Sequence, residues 1–288
     1  MKTDDVCGIF MNAVSYLKCP LCGASLCLSE NKSLVCASGH CFDFSSKGYV
    51  NFIPDKKQVS GHYTAKLFES RAKVFESGAF NRVFDEIHDM ILSHFGENRA
   101  LTLLDAGCGE GFYAKRFGAI PRFDVLAIDI VKDAILAACR KRSGVKWMVA
   151  DLTEMPVMDG SIDVVLNILA SANYGEFKRV LTKDGLVIKV VPGGGYLKEI
   201  REAVKHRLLN KEYSNEEVVE HFERNMKIIG RRAINYTFPA GDALPGCFLE
   251  MTPLTTGIVT ESIDLSGVSG ITIDLDILAG RNPCFRLF

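Results

Sequence analysis

The sequence predicts an α/β chain built on a mostly parallel sheet, preceded by a small metal-binding module, and three features carry that expectation. Beyond residue 100, short apolar runs alternate with segments of helical periodicity, the pattern of strands buried on both faces by crossover helices. The first of these runs, Leu103-Leu104-Asp105-Ala106-Gly107-Cys108-Gly109-Glu110-Gly111, leads straight into three alternating glycines. Near the amino terminus, Cys19-Pro20-Leu21-Cys22 is followed by Cys36 and, after a three-residue gap, His40.

A chain of 288 residues can hold one full-sized core and a small second module, since domains commonly run to about 100–200 residues. Its 48% hydrophobic and 24% charged content fits a globular protein, and no apolar run approaches the roughly 20 residues that span a bilayer. Met1-Lys2-Thr3-Asp4-Asp5 lacks the basic opening and apolar core of a secretory signal, so a cytoplasmic location is expected. There, ten cysteines point to metal ligation and buried thiols more than to disulfides. A net charge of −1 gives no global electrostatic case for a nucleic-acid partner. Such a case rests on two local basic stretches, Lys56 to Lys73 and Lys198 to Lys211, each of which could equally be a solvated face.

Taken in order, residues 1–18 read as an amino-terminal extension, 19–54 as the metal module, 55–77 as a polar, basic linker and 78–288 as the main domain. Phe80, Val83, Phe84, Ile87, Ile91 and Leu92 recur at helical spacing and predict a helix beside the sheet. Strands are expected at 101–106, 123–128, 145–150, 161–168 and 185–191, with helices at 110–118, 131–142 and 173–182 between them. Val191-Pro192-Gly193-Gly194-Gly195 leaves the fifth strand as a loop over the site or a plain connector. A basic helix near 196–210, a helical piece near 214–223 and β-rich stretches at 226–238 and 271–279 complete the chain.

The glycine turn is the candidate cofactor site. Gly107, Gly109 and Gly111 allow a tight turn, remove Cβ atoms that would block a ligand and open a helix whose first N–H groups face it. Acids follow at the ends of the next two strands. Asp129 lies 18 residues after Gly111, near the offset of about 20 at which an acid meets ribose hydroxyls, and Asp151-Leu152 would border an adenine. Together with Asp105 these point to S-adenosylmethionine, and the strict every-second-residue glycine spacing resembles class I S-adenosylmethionine-dependent methyltransferases rather than dehydrogenases. That resemblance implies a Rossmann-like, mostly parallel seven-stranded sheet.

Cys19, Cys22, Cys36 and His40 supply C-x2-C and C-x3-H pairs, the format of a closed structural zinc site. The surrounding fifty or so residues carry few large apolar side chains, so bound Zn2+ would supply much of their stability. Cys27 and Cys41 are spare, and an all-cysteine site using Cys41 is the main alternative.

In sequence order, Cys19-Pro20-Leu21-Cys22, Cys36, His40, Phe42-Asp43, Lys47-Gly48-Tyr49-Val50-Asn51, the Asp105-to-Gly111 loop and Met251-Thr252-Pro253 resemble the RlmA-type 23S ribosomal RNA guanine-N1 methyltransferases. The resemblance covers almost the whole chain from Cys19 onward, with the zinc knuckles and K-G-Y-V-N its most specific part. It implies that the zinc module helps recognise a 23S rRNA hairpin while the larger domain methylates N1 of a guanine. By motif, Cys19, Cys22, Cys36 and His40 would hold zinc, and Asp105, Gly107, Gly109, Gly111, Asp129, Asp151 and Leu152 the cofactor. Asp43 and Lys47 to Asn51 would pack the module onto its neighbour, with Tyr49 and Phe52 either at that junction or stacked on bases.

Two places depart from the family. Ile168-Leu169-Ala170-Ser171 stands where the family reads I-Y-A-P, and Tyr196 where it commonly has His. For the chemistry, Asn167 is a candidate to orient the base and Tyr196 to contact guanine O6. A homodimer is a further expectation. A small-molecule methyltransferase of the same fold and a non-catalytic zinc and RNA-binding relic are the competing readings.

Overall fold

The structure, a computed structural model, describes residues 3–30, 32–53, 65–141, 143–207, 214–241, 243–252 and 263–284. Pro54, Lys56, Lys57, Lys211 and Pro253, which figure in the expectations above, lie outside the described residues. The chain opens with helix α1 (Thr3–Met11) and a 3-10 turn (Val14–Tyr16). The metal module follows as a three-stranded antiparallel sheet of β1 (Leu26–Leu28), β2 (Ser33–Cys36) and β3 (Cys41–Asp43), in the order β1-β2-β3. Next come β4 (Tyr49–Asn51) and helices α2 (Ala65–Glu76) and α3 (Asn81–Phe95).

The main domain then alternates as the apolar pattern requires. It runs through β5 (Leu101–Ala106), α4 (Phe112–Gly118), β6 (Phe123–Asp129), α5 (Lys132–Ala138), β7 (Lys146–Val149), β8 (Ile162–Ile168), α6 (Tyr174–Val180) and β9 (Leu181–Pro192). Helices α7 (Lys198–Val204) and α8 (Glu216–Asn225), strand β10 (Lys227–Pro239), helix α9 (Leu244–Met251) and strand β11 (Gly270–Arg281) follow. Every residue of β5, β7 and β8 is buried, which is why these stretches read as continuous apolar runs rather than alternating ones.

The strand order is β10-β11-β9-β8-β5-β6-β7-β4. Among the paired strands, β4 to β9 run parallel, while β11 is antiparallel to both β9 and β10. The chain steps outward from β5 through β6 to β7, then returns to the other side of β5 with β8. That reversal opens a crevice beyond the carboxyl end of β5, the place where ligands bind in such sheets.

Two apolar clusters cover the sheet faces. Leu103, Val125, Leu166 and Ile188 pack with α3 and α4 through Ile87, Ile91 and Phe117. On the opposite face Leu104, Leu126, Met148 and Val165 pack with α6 and α8 through Phe177 and Phe222. Among the described residues, no helix is long and apolar enough to cross a membrane.

Four features differ from the sequence expectation. The sheet has eight strands because Tyr49, Val50 and Asn51 pair in parallel with Trp147, Met148 and Val149, so the Y-V-N of K-G-Y-V-N is an edge strand of the main sheet. Residues 6–18 do not form a free extension. Val6, Phe10 and Leu17 are fully buried in the second cluster, Phe10 lies 5.2 Å from Phe44, and the Met158 amide donates to the Tyr16 carbonyl. Part of the stretch 55–77 is helix α2 rather than linker, fixed to α9 where Lys66 and Ser70 both meet the Glu250 carboxylate. Helices α1, α2 and α9 escaped the periodicity reading, and each is held by partners on other elements. The basic helix is also shorter than expected, with α7 ending at Val204 before a 3-10 turn, Lys205–Arg207.

Candidate cofactor crevice and metal centre

The glycine turn is held from behind by β6. The amides of Gly107 and Cys108 both donate to the Ile128 carbonyl, and Gly107, Gly109 and Gly111 all have positive φ. The three glycines serve different neighbours. A Cβ at Gly109 would lie 3.2 Å from Nη2 of Arg71, so this glycine lets a cation approach the turn. A Cβ at Gly107 would run into Ala170, so its bareness admits the segment that follows β8. Gly111 caps α4 in the left-handed region at φ 75°, and a Cβ there would collide with the Trp147 ring. Gly111 therefore shapes the turn by packing, and contact with a cofactor is not what excludes a side chain there.

Asp105, Gly107, Cys108, Glu110 and Tyr113 line a pocket at this turn together with Arg71, Phe75, Phe112, Ile168 and Leu169. Two buried polar atoms of that lining, Asp105 Oδ2 and the Tyr113 hydroxyl, have no hydrogen-bond partner among the described residues. Such orphans cost free energy unless a ligand satisfies them. Burial raises the Asp105 carboxyl to about 7, against the pull of the Ala114 amide and with help from the nearby Asp129 and Glu110 charges. Burial also pushes the Tyr113 hydroxyl well up.

Asp129 ends β6 as expected, and its two oxygens accept from the Gly109 amide at 2.8 Å and the Val131 amide at 2.8 Å. Burial raises its carboxyl, opposed by those amides and by Arg71. Asp151 lies just past β7, where its Oδ1 accepts from the Thr153 amide, and Leu152 reaches toward Gly107. The crevice thus has a bare turn, orphaned acceptor and donor atoms, and acids at three strand ends. These fit the three parts of S-adenosylmethionine: amino acid, ribose and adenine.

Asn167 is a correction. It is fully buried, its amide nitrogen donates to the Ala106 and Ser171 carbonyls at 2.9 Å each, and its oxygen accepts from Lys189 Nζ at 2.5 Å. Lys189 also donates to the Ala170 carbonyl, and burial lowers its ammonium to about 8. The pair shapes the segment after β8, and these bonds tie Asn167 to the backbone behind the pocket. Within that segment Leu169 adopts φ 51° with its amide on the Val190 carbonyl, and it exposes its side chain at the pocket. Tyr196 is carried by a defined turn rather than a loose connector. The Gly193 amide donates to the Asp274 carbonyl, the Gly195 amide to the Asp274 carboxylate, and the Tyr196 amide to the Gly193 carbonyl. Burial raises the Tyr196 hydroxyl, offset by the nearby Arg71, so it stays a proton donor. Arg71, Lys189 and Asp274 were not legible as site residues, because their partners lie on other elements.

At the module's tip Cys19, Cys22, Cys36 and His40 present ligand atoms that all lie within 4.8 Å of one another. Cys36 Sγ and His40 Nδ1 are 3.4 Å apart, Cys19 Sγ and His40 Nδ1 3.5 Å, and the Cys22 and Cys36 sulfurs 3.7 Å. With Zn–S bonds of about 2.3 Å, the edge of a regular tetrahedron is about 3.8 Å, close to these three separations, so the cluster fits a zinc ion. The Ala24 amide, helped by the Ser38 hydroxyl, lowers the Cys22 thiol to about 6 and favours its thiolate. Cys27 bonds instead to the Val35 carbonyl and Cys41 to Asp43, outside the cluster.

Tyr49 and Phe52 are buried, and Phe52 packs on Phe42 at 4.8 Å, so both serve the junction between module and sheet rather than an exposed base-stacking face. Of the basic stretches, Lys66 and Arg71 face Glu250 and Glu110, whereas Lys198, Lys205 and Arg207 stand exposed.

A mostly parallel sheet whose strand order reverses at a bare glycine turn, with acids at the neighbouring strand ends, defines a methyltransferase that uses S-adenosylmethionine. The family profile described as "Methyltransferase domain" matches residues 104–189, and that described as "RlmA, N-terminal", a zinc ribbon, matches residues 17–60. The protein named "Putative 23S rRNA (guanine-N(1)-)-methyltransferase YxjB" of Bacillus subtilis (strain 168) is 37% identical over 92% of this chain and 97% of its own. The 23S rRNA (guanine(748)-N(1))-methyltransferase of Streptomyces fradiae is 26% identical over 94% of this chain and 98% of its own. The chain belongs to the RlmA-type family of 23S rRNA (guanine-N1) methyltransferases.

Proposed function

We propose that this protein transfers the methyl group of S-adenosylmethionine to N1 of a guanine in a hairpin of 23S rRNA. The observation that carries the reading is the fusion of the two parts. The zinc module is hydrogen-bonded into the same sheet, through β4 on β7, whose glycine turn forms the cofactor crevice. A surface that grips RNA is thereby held in fixed register with the site of transfer, which positioning of the acceptor demands. A ribosomal substrate also accords with a cytoplasmic location.

Bound S-adenosylmethionine supplies a methyl already activated by its sulfonium, so the protein's task is alignment, exclusion of water and management of one proton. Guanine N1 is protonated at neutral pH, and charge develops on O6 as that proton leaves to solvent water. The Tyr196 hydroxyl, which burial keeps protonated near Arg71, would donate to O6. Leu169 offers an apolar face at the pocket mouth for a base taken out of its stack, and the Asn167–Lys189 pair holds that face in place. Lys198, Lys205 and Arg207 lie where phosphates could meet them, which would make binding salt-sensitive.

Mass-spectrometric mapping of 23S rRNA from cells with and without this protein tests the reading. One N1-methylguanine should vanish from a hairpin when the protein is removed and return when it is restored. An unchanged modification map would refute it.

A further inference from the structure

The cofactor carries a carboxylate, and every acid at the glycine turn repels it. Asp105 and Glu110 line the pocket and Asp129 lies beneath it, whereas Arg71 is the one cation in that lining among the described residues. Arg71 comes from α2, outside the glycine motif and within a stretch that reads as linker. Its placement is nonetheless built. Phe75, one turn on, stacks against Phe112 of α4 with centroids 4.5 Å apart, and Ser70 is tied to Glu250 on α9. The guanidinium is directed by one bond, from Nε to Glu110 Oε2 at 2.7 Å. Nη2 is the atom nearest Gly109, over the turn, and the side chain keeps 30% exposure.

We propose that Arg71 is the anchor for the α-carboxylate of S-adenosylmethionine, with Glu110 holding the guanidinium by its Nε side so that the Nη edge faces the amino-acid end of the crevice. A guanidinium fork matches a carboxylate in a way that an ammonium does not, and the two orphaned pocket atoms, Asp105 Oδ2 and the Tyr113 hydroxyl, then lie at the same end for the cofactor's amine. The inference rests on the reading of the crevice as the S-adenosylmethionine site.

Calorimetric titration of the full-length, zinc-loaded protein with S-adenosylmethionine, S-adenosylhomocysteine and decarboxylated S-adenosylmethionine tests it. The unmodified protein should prefer S-adenosylmethionine over the decarboxylated form by about ten- to hundredfold, the range of a charge-assisted pair. Arg71→Gln should lose that preference by weakening the carboxylate-bearing ligands alone, and Arg71→Lys should recover only part of it. Melting temperatures of both variants within a few degrees of the parent would exclude a folding defect, and Glu110→Gln, which keeps Arg71, serves should Arg71→Gln fail to fold. There the amide oxygen still accepts from Nε while one charge that repels the carboxylate is gone, so the preference should persist or grow, and its loss would overturn the role of Arg71. Equal weakening of all three ligands by Arg71→Gln, or unchanged affinity, would overturn the role of Arg71 while leaving the cofactor site standing. Failure of the unmodified protein to bind any of the three would overturn both.

Discussion

Asp105 shows how one buried group couples the site to pH. Its carboxyl is raised from 3.8 to about 7, chiefly by burial, so the folded protein holds a proton that the unfolded chain releases near pH 4. The stabilising contribution is therefore complete below about pH 4 and lost as pH rises through 7. A ligand bearing positive ammonium and sulfonium groups favours the opposite, ionised form. S-adenosylmethionine binding at pH 6.5 should accordingly release a fraction of a proton, and its affinity should rise between pH 6 and pH 8. Calorimetry in two buffers of different ionisation heat reads this directly, with Asp105→Asn as the control that abolishes it. Binding heats that do not depend on the buffer would show that Asp105 is ionised before the ligand arrives. Asn167 teaches the complementary lesson. An amide at a strand end looks available in a sequence, yet here three hydrogen bonds consume it.

At the scale of elements, the turn from β5 into α4 is the most constrained junction. Gly111 combines a left-handed backbone with a space already filled by Trp147 and Ala138, the first from β7 and the second from α5. Left-handed strain and overpacking add, so Gly111→Ala should destabilise the protein by about 2–4 kcal/mol. Urea unfolding measures it, and a loss below about 0.5 kcal/mol would mean that the Trp147 ring can step aside. The same variant should weaken S-adenosylmethionine binding only through the turn's distortion. Elements with a period in the sequence were legible: every strand from β5 to β9 and helices α3 to α6 lie within a few residues of expectation. The helices missed, α1, α2 and α9, form because tertiary partners such as Phe44, Phe112 and Glu250 meet them.

For the whole molecule, the zinc module and the main domain share a core. Phe42, Phe44 and Phe52 of the module stand in one apolar cluster with Met148 and Val157 of the main domain and Val6 and Phe10 of α1. Removing residues 1–54 would bare that surface and the edge of β7, so such a truncation would test folding before it tested RNA binding. Withdrawing zinc is the milder probe. Cys22→Ser, or chelation, should lower zinc content and drop the melting temperature by at least about 5 °C, the equivalent of a few kcal/mol in a chain of this size. Hydrogen exchange should quicken in β4 and β7 together. Loss of zinc with unchanged melting would instead show that the shared core holds the module by itself.

The sequence by itself determined the alternation of strands and helices, the glycine turn with its acids, and four zinc ligands whose spacing is local. These are encoded by short-range periodicity and by residue types with few structural uses. Tertiary structure alone decided that the Y-V-N of K-G-Y-V-N becomes an eighth strand, that Asn167 is bound up with Lys189, and that Arg71 stands over Gly109. Such facts depend on pairs of residues 22 to 98 positions apart, as in Asn167–Lys189, Arg71–Gly109 and Tyr49–Trp147. Nothing in the local pattern of either partner marks the other, since only the folded chain brings their charges and surfaces within reach.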